Sequence, residues 1–177
     1  INDVTVDCFT SLTKRIETTP EAFFKQLSTA LPPSKSCYSH NWQTISNKAE
    51  TSLATFLNQA PWCDFSAMNI LFNSLPSSWN LHLSNGTSIR YSQLFNTTRF
   101  NRIDCNRGVS GIDGCTSTAI GSSIVSNETT LLISGDMCAQ DDFGALLTAQ
   151  LSPKFKMIVL NNGGGGIFRF IKSTSNL

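Results

Sequence analysis

Two nearly continuous apolar runs set the pattern of the chain: Thr129–Ser134 (TTLLIS) and Phe155–Leu160 (FKMIVL). Neither alternates, which predicts strands covered on both faces, as in a parallel sheet. The first ends in Gly135-Asp136 and the second in Asn161-Asn162 followed by four glycines. Between them a helix is predicted over about Asp142–Leu151, with Asp141 and Asp142 near its positive end. Upstream, the alternation over residues 2–9 predicts a strand. The segment from Pro20 to Leu31 predicts a helix, with Thr19 as cap and the proline in the first turn. Residues 32–36 (PPSKS) are the best linker candidate. Ala49, Leu53, Phe56 and Leu57 recur at helical spacing within about Ser46–Gln59. A further helix is predicted over Phe65–Leu75, stopping at Pro76, and then a short strand at Trp79–Leu83. A turn at Ser84–Thr87 leads to a helix near Ser88–Phe95. Residues 105–114 form a Gly-rich loop, followed by a small-residue helix over about Thr116–Val125. No internal repeat occurs. Strands alternating with helices predict an α/β fold: three layers, with a mostly parallel sheet flanked by helices.

Composition narrows the function classes. The chain has 177 residues, 40% of them hydrophobic and only 14% charged, with a formal net charge of +1. That charge gives no bulk electrostatic reason to bind nucleic acid or a membrane surface. No apolar run approaches the ~20 residues that span a bilayer. With 12 Phe and 3 Trp to bury, the chain is expected to fold. The first residues show no signal-peptide core. The opening at Ile1 and the stop at Leu177, just after a Gly-rich loop, suggest an internal piece of a longer protein. The 6 cysteines are widely and irregularly spaced, with no Cys-x-x-Cys pair. Zinc is therefore not expected, and reduced structural thiols are. The Asn-x-Ser/Thr sequons at Asn85, Asn96 and Asn127 are attributed to chance in a chain this rich in Asn, Ser and Thr.

The chemistry lies at the two apolar strands' ends. In open α/β sheets ligands bind outside the carboxyl ends of strands, so Gly135-Asp136 and Asn161–Gly164 share one edge. One carboxylate, one amide oxygen and free glycine carbonyls make an all-oxygen set. It suits Mg²⁺, which keeps few protein ligands and completes its octahedron with phosphate and water. The glycines let backbone N–H groups approach phosphate oxygens. These residues alone point to a Mg²⁺–diphosphate site.

Gly135-Asp136 followed by Asn161-Asn162, with 26 residues from Asp136 to Asn162, resembles the fingerprint of thiamine-diphosphate-dependent decarboxylase-type enzymes. Other segments narrow the resemblance. Residues 106–119 (NRGVSGIDGCTSTA), 85–90 (NGTSIR) and 159–168 (VLNNGGGGIF) resemble motifs of the 2-succinyl-5-enolpyruvyl-6-hydroxy-3-cyclohexene-1-carboxylate (SEPHCHC) synthase family of menaquinone biosynthesis, in that family's order. The resemblance implies the thiamine-diphosphate-binding fold. Residues 1–36 would be the end of a middle domain and a linker, and 37–177 a diphosphate-binding domain incomplete at its C-terminus. It implies thiamine diphosphate with Mg²⁺, or Mn²⁺ in its place, and a reaction in which 2-oxoglutarate loses CO₂ and its succinyl-semialdehyde unit joins isochorismate. Asp136, Asn162 and the Gly164 carbonyl would hold the metal. Gly135, Met137, Ile112, Ile167 and Phe168 would contact the cofactor, with Ile112 as the apolar wedge. Asn85, Arg90 and Arg107 would bind substrate. The activating glutamate of the family lies outside this chain, which by itself is expected to be inactive. A bacterial, cytoplasmic homo-oligomer, dimer or tetramer, is implied for the full protein.

Gly86, Met137-Cys138 and Gly163 depart from the family pattern, which usually has Ser, Leu-Ser and Asn there. Each site residue also has a plainer reading: Asp136 as a helix cap, Gly163–Gly166 as a flexible turn, Arg90 and Arg107 as surface arginines, Asn85 as a turn former, Ile112 and Phe168 as core. Asp113 reads as a turn residue, Asp142 as a helix start, and His40 and His82 as structural. The rival functions are another thiamine-diphosphate enzyme of acetolactate-synthase type and a non-catalytic nucleotide- or diphosphate-binding module. The second is disfavoured because the chain lacks the P-loop Gly-Lys-Ser/Thr and a properly placed Gly-x-Gly-x-x-Gly.

Overall fold

The structure, a computed structural model, describes residues 6–32, 36–148, 150–170 and 172. The chain divides into two compact units, Ile1–Ala49 and Glu50–Leu177.

In the first unit, helix α1 spans Pro20–Ala30, and Thr19 caps it by accepting from Ala22 N. The strand expected over residues 2–9 is not found. Residues 2–5 lie outside the described residues, and 6–9 end in a turn. The reason is the Asp7 carboxylate, which accepts from the backbone N–H groups of Phe9, Ser11 and Leu12 at 3.0–3.3 Å. Gathering three amides around one carboxylate curls the backbone instead of extending it. It also holds the Asp7 carboxyl below its ordinary pKa, the Leu12 N–H contributing most. The linker expected at 32–36 falls largely on residues 33–35, outside the described residues.

Helix α2 spans Tyr38–Gln59 and carries the boundary between the two units. It starts earlier than the apolar spacing from Ser46 predicted. Ser36 Oγ accepts from Tyr38 N at 3.1 Å, a cap with no apolar signature. Gln43 and Asn47, one turn apart, then bond side chain to side chain at 3.3 Å.

The second unit holds α3 (Asp64–Ser74), β1 (Asn80–Leu83), α4 (Thr87–Ser92), β2 (Arg102–Asp104), α5 (Cys115–Val125), β3 (Thr130–Gly135), α6 (Asp136–Asp141) and β4 (Phe155–Leu160). Short 3₁₀ turns cover Phe143–Leu147 and Gly166–Phe170. All four strands are parallel, in the order β2-β1-β3-β4. The predicted α/β architecture is the one observed. β3 is central and buried from Thr130 to Ser134, so both its faces are covered. Leu131 and Ile133 pack with Met68, Phe72, Leu81 and Leu83 in one cluster. Leu132, on the opposite face by strand alternation, is equally buried, on the side that leaves Ala119 and Ile120 of α5 inside. Each such buried side chain contributes roughly 1.5–3 kcal/mol. Phe72, Phe95, Phe65 and Tyr91 extend the core as a run of ring contacts at 5.2–5.4 Å.

Two expectations need correction. The helix predicted over Asp142–Leu151 is instead α6, ending at Asp141, followed by a 3₁₀ turn. Asp142 breaks the helix because its carboxylate is drawn to α5, where it accepts from Ser117 N at 2.7 Å and Ser117 Oγ at 3.0 Å. Asp142 thus supplies the side-chain cap that Gly114, at the N-cap of α5, cannot. Asp141 lies at the C-terminal end of α6, not near a positive end. The cysteines differ too: Cys8, Cys37 and Cys63 are exposed, Cys105 is half-buried, and only Cys115 and Cys138 are buried, though all six are free thiols.

Candidate functional site

The strand order creates the site. From β1 the chain moves outward to β2, then crosses back past β1 to β3 and on to β4. Loops leaving β1 and β3 therefore run in opposite directions, the arrangement in which open α/β sheets bind ligands at the strands' carboxyl ends. β1 leads into Ser84-Asn85-Gly86, and β3 into Gly135-Asp136-Met137. The two ends are stitched together by Gly135 N donating to Ser84 Oγ at 3.2 Å, with Ser84 fully buried.

On the β3–β4 side, Asp136 meets the glycine loop. Its Oδ1 accepts from Met137 N and its Oδ2 from Gly164 N, each at 2.7 Å. A carboxylate has about four acceptor positions, so both oxygens keep free lone pairs. Gly163, Gly164 and Gly165 all have positive φ, 82°, 96° and 57°, which only glycine adopts without strain in three successive residues. This backbone turns the loop back toward Asp136. Asn162 donates from Nδ2 to Asp64 Oδ2 at 2.7 Å. Its Oδ1 is buried and has no hydrogen-bond partner. An unpartnered buried amide oxygen costs about 1–3 kcal/mol, and a bound cation would remove that cost. Gly164 also lies close to Met137: a Cβ on it would sit 3.8 Å from Met137 Sδ. Asp136, Met137 and Gly164 thus share one loop contact, and Asn162 lies in the same glycine loop, two residues before Gly164. The donor set is hard oxygen and fits Mg²⁺ or Mn²⁺. Among the described residues no three His, Cys, Asp or Glu side chains form a metal cluster. A site with one carboxylate, one amide and a backbone carbonyl needs none.

On the β1 side, Asn85 is 4% exposed and organises the Gly-rich loop. Its Nδ2 donates to Asn106 O at 2.7 Å and Gly111 O at 2.6 Å. Its Oδ1 accepts from Arg107 Nη1 at 2.9 Å. Arg90 Nη1 donates to Gly86 O at 2.6 Å, and the rest of its guanidinium faces outward. The structure therefore joins Asn85 to Arg107, and holds Arg90 to the carbonyl of Gly86, the residue after Asn85. The amide of Asn85 is already engaged by the protein itself. Asp113 lies in the turn before α5, as expected.

The Gly-rich loop is tied to the β3 side through sulfur. Cys138, buried in α6, donates to Ile112 O. The thiol that stands where the family pattern has a hydroxyl is thus turned inward. Cys115 lies beside it. The adjacent Cys138 thiol favours the Cys115 thiolate and lowers Cys115 to about 7, while Cys138 is pushed up. Ile112 is 40% exposed, Met137 45% and Phe168 55%. All three are substantially exposed, and the plain core reading of Ile112 and Phe168 does not hold. Ile167 is half-buried in the 3₁₀ turn after the glycines.

His82 is buried in β1, with Nε2 3.6 Å from Asp104 Oδ2. Burial pushes its pKa below the ordinary value, Asp104 opposing. Asp104 is its register partner on β2. His40 lies on α2 and is exposed.

Sequence reasoning missed Asp64, Ser84 and Gly166. Asp64, in the first turn of α3, has the local signature of an ordinary dipole-favouring residue, and its partner lies 98 residues away. With Tyr91 and Asn162 it lines a cavity of about 670 Å³. Gly166 is needed for close approach: a Cβ there would lie 2.7 Å from Asn162 Nδ2 and 3.1 Å from its Oδ1.

No family model matches the chain. It is similar to curated 2-succinyl-5-enolpyruvyl-6-hydroxy-3-cyclohexene-1-carboxylate synthases. Identity is 42% over 165 residues with the Flavobacterium psychrophilum protein, covering 93% of this chain and 30% of the relative. It is 38% over 180 residues with that of Porphyromonas gingivalis, covering 97% and 31%. It is 36% over 165 residues with that of Flavobacterium johnsoniae, covering 93% and 30%. The chain spans about 30% of the length of these relatives.

Proposed function

From this kinship with one segment of the SEPHCHC synthases, we propose that the chain is the diphosphate- and metal-holding part of such a synthase, with residues 37–177 as that domain and 1–36 as the end of the domain before it. The full protein would decarboxylate 2-oxoglutarate and add the succinyl-semialdehyde unit to isochorismate in menaquinone biosynthesis, as a homo-oligomer. The observation that supports this best is the conjunction at the β3–β4 edge: one carboxylate, one unpartnered amide oxygen and a positive-φ glycine loop, in a chain 42% identical to a synthase of that name.

Each residue then has a role. Asp136, Asn162 Oδ1 and the Gly164 carbonyl would hold Mg²⁺ or Mn²⁺, and the metal would supply positive charge for the diphosphate of thiamine diphosphate. Gly135 and Met137 line the same end of β3. Ile112, Ile167 and Phe168 offer apolar surface to the cofactor's ring system and keep water from it. When bound, the cofactor supplies an electron sink for decarboxylation. Arg90 and Arg107 offer guanidinium groups to substrate carboxylates, for which the planar fork is suited. Asn85 acts on that pocket by holding Arg107 and the loop in place. With the family's activating glutamate outside this chain, the chain by itself would not turn over. Among the described residues no helix is long and apolar enough to cross a membrane.

The test has two arms. Calorimetry with Mg²⁺ and thiamine diphosphate should show binding that Asp136→Ala abolishes; equal binding by both would remove the metal assignment. The full-length protein should consume 2-oxoglutarate and isochorismate together; turnover of pyruvate instead would favour an acetolactate-synthase-type enzyme.

A further inference from the structure

We propose that Asp64 is a positioning residue of the metal site, whose carboxylate locks the side-chain amide of Asn162 so that its oxygen, not its nitrogen, is the atom offered to the cation. The inference rests on the Mg²⁺–diphosphate reading and adds a residue to it.

An asparagine amide can turn by 180° with little change in shape, exchanging a donor face for an acceptor face. For a metal ligand the two orientations are opposite in effect: the oxygen binds a cation, and the NH₂ repels it. Something must select between them. Asp64 Oδ2 lies 2.7 Å from Asn162 Nδ2. An ionised carboxylate only accepts hydrogen bonds, so an amide oxygen at that distance would face like partial charge. The NH₂ is therefore held toward Asp64, and Oδ1 is left on the other side, buried and without a partner. The orphaned oxygen follows directly from the lock.

Two neighbours make the lock specific. Asp64 is the first residue of α3, an 11-residue helix, which fixes its backbone beside the amide it holds. Gly166 leaves the space in which the amide lies, since any Cβ there would press on both Nδ2 and Oδ1. Outer residues that orient metal ligands typically change metal affinity by about 10–100-fold when removed.

The experiment uses the full-length protein and measures Mn²⁺ affinity by electron paramagnetic resonance in the presence of thiamine diphosphate, beside the melting temperature of the cofactor-free protein. Asp64→Leu removes the acceptor and should weaken Mn²⁺ about 10–100-fold while the cofactor-free protein melts close to the parent. Asp64→Asn removes the charge but keeps a carbonyl that can accept from Asn162. Because two facing amides can pair in either sense, about half the molecules should present the oxygen, and affinity should fall only about twofold. If Asp64→Leu does not fold, Asp64→Ala takes its place. Parent-like Mn²⁺ affinity in a folded Leu or Ala variant overturns the proposal. So does an Asp64→Asn variant as weak as the Leu variant, which would make charge rather than orientation the cause. Asp136→Ala separates the two levels. If it binds Mn²⁺ as the parent does, the metal reading itself fails. If it loses Mn²⁺ while Asp64→Leu does not, only the role of Asp64 falls.

Discussion

Replacing Asn85 tests whether this residue is chiefly a substrate contact or the hub of the Gly-rich loop. Its Nδ2 bonds the carbonyls of Asn106 and Gly111 at 2.7 and 2.6 Å, and Asn85 is 4% exposed. In Asn85→Ala both carbonyls lose their partner in a partly buried setting. Each unpaired group costs about 1–3 kcal/mol. Water entering the vacated space would recover part of that, so a net loss of about 3 kcal/mol is expected. Asn85→Asp keeps the volume but turns an anionic oxygen toward two carbonyl oxygens, and should destabilise at least as much. Urea denaturation measures the change as a lower midpoint at constant slope. Limited proteolysis should cut within residues 105–114 in both variants before the parent is cut. If Asn85→Ala unfolds within 1 kcal/mol of the parent, on the order of the smallest single hydrogen-bond effect, the hub argument is wrong and Asn85 is free for a ligand.

Gly166→Ala should abolish Mn²⁺-dependent thiamine diphosphate binding in calorimetry without lowering the melting temperature much. Gly166 has no positive φ to strain, yet its new Cβ would lie 2.7 Å from Asn162 Nδ2; intact binding would show that the Asn162 amide need not lie there. His82 predicts a pH dependence. Burial lowers its pKa below 6.5, so below pH 6.5 the unfolded chain takes up a proton that the folded chain refuses. That contribution is complete above pH 6.5 and declines as pH falls through 6.5 toward the folded value. The urea midpoint of the parent should drop from pH 7.5 to 5 more than that of His82→Leu; parallel curves would sink the argument.

What the sequence disclosed depended on the range of the interaction. β3 and β4 stood out because central strands must be apolar on both faces. The Thr19 cap was visible because a cap and its helix are neighbours. β2 was missed because a three-residue edge strand can be Arg-Ile-Asp: Arg102 and Asp104 lie on one face and pair with each other at 2.6 Å. The helix predicted over Asp142–Leu151 failed because Asp142 serves α5, 25 residues earlier, in preference to its own segment. Asp136, Asn162 and Gly164 were marked by their spacing. Asp64 could not be, because nothing within Cys63-Asp64-Phe65 refers to an asparagine 98 residues on.

The order β2-β1-β3-β4 explains why these long-range contacts collect where they do. A sheet whose chain reverses direction between two adjacent strands leaves their carboxyl ends uncovered by either crossover. Here that gap lies between Ser84 and Gly135, and the two loops that flank it are each incomplete in their own hydrogen bonding. The β1 side is completed by Asn85, which supplies a buried amide to the 105–114 loop. The β3 side keeps Asn162 Oδ1 without a partner beside the spare lone pairs of Asp136, since the Asp64 bond occupies only the amide's other end. The Asn85 amide, with both ends engaged, holds structure. The Asn162 amide, with one end held and one free, has the asymmetry a ligand site requires. Two asparagines at the ends of parallel strands thus part ways through their partners, which are two backbone carbonyls, an arginine and the Cys105 thiol in one case and a single carboxylate in the other.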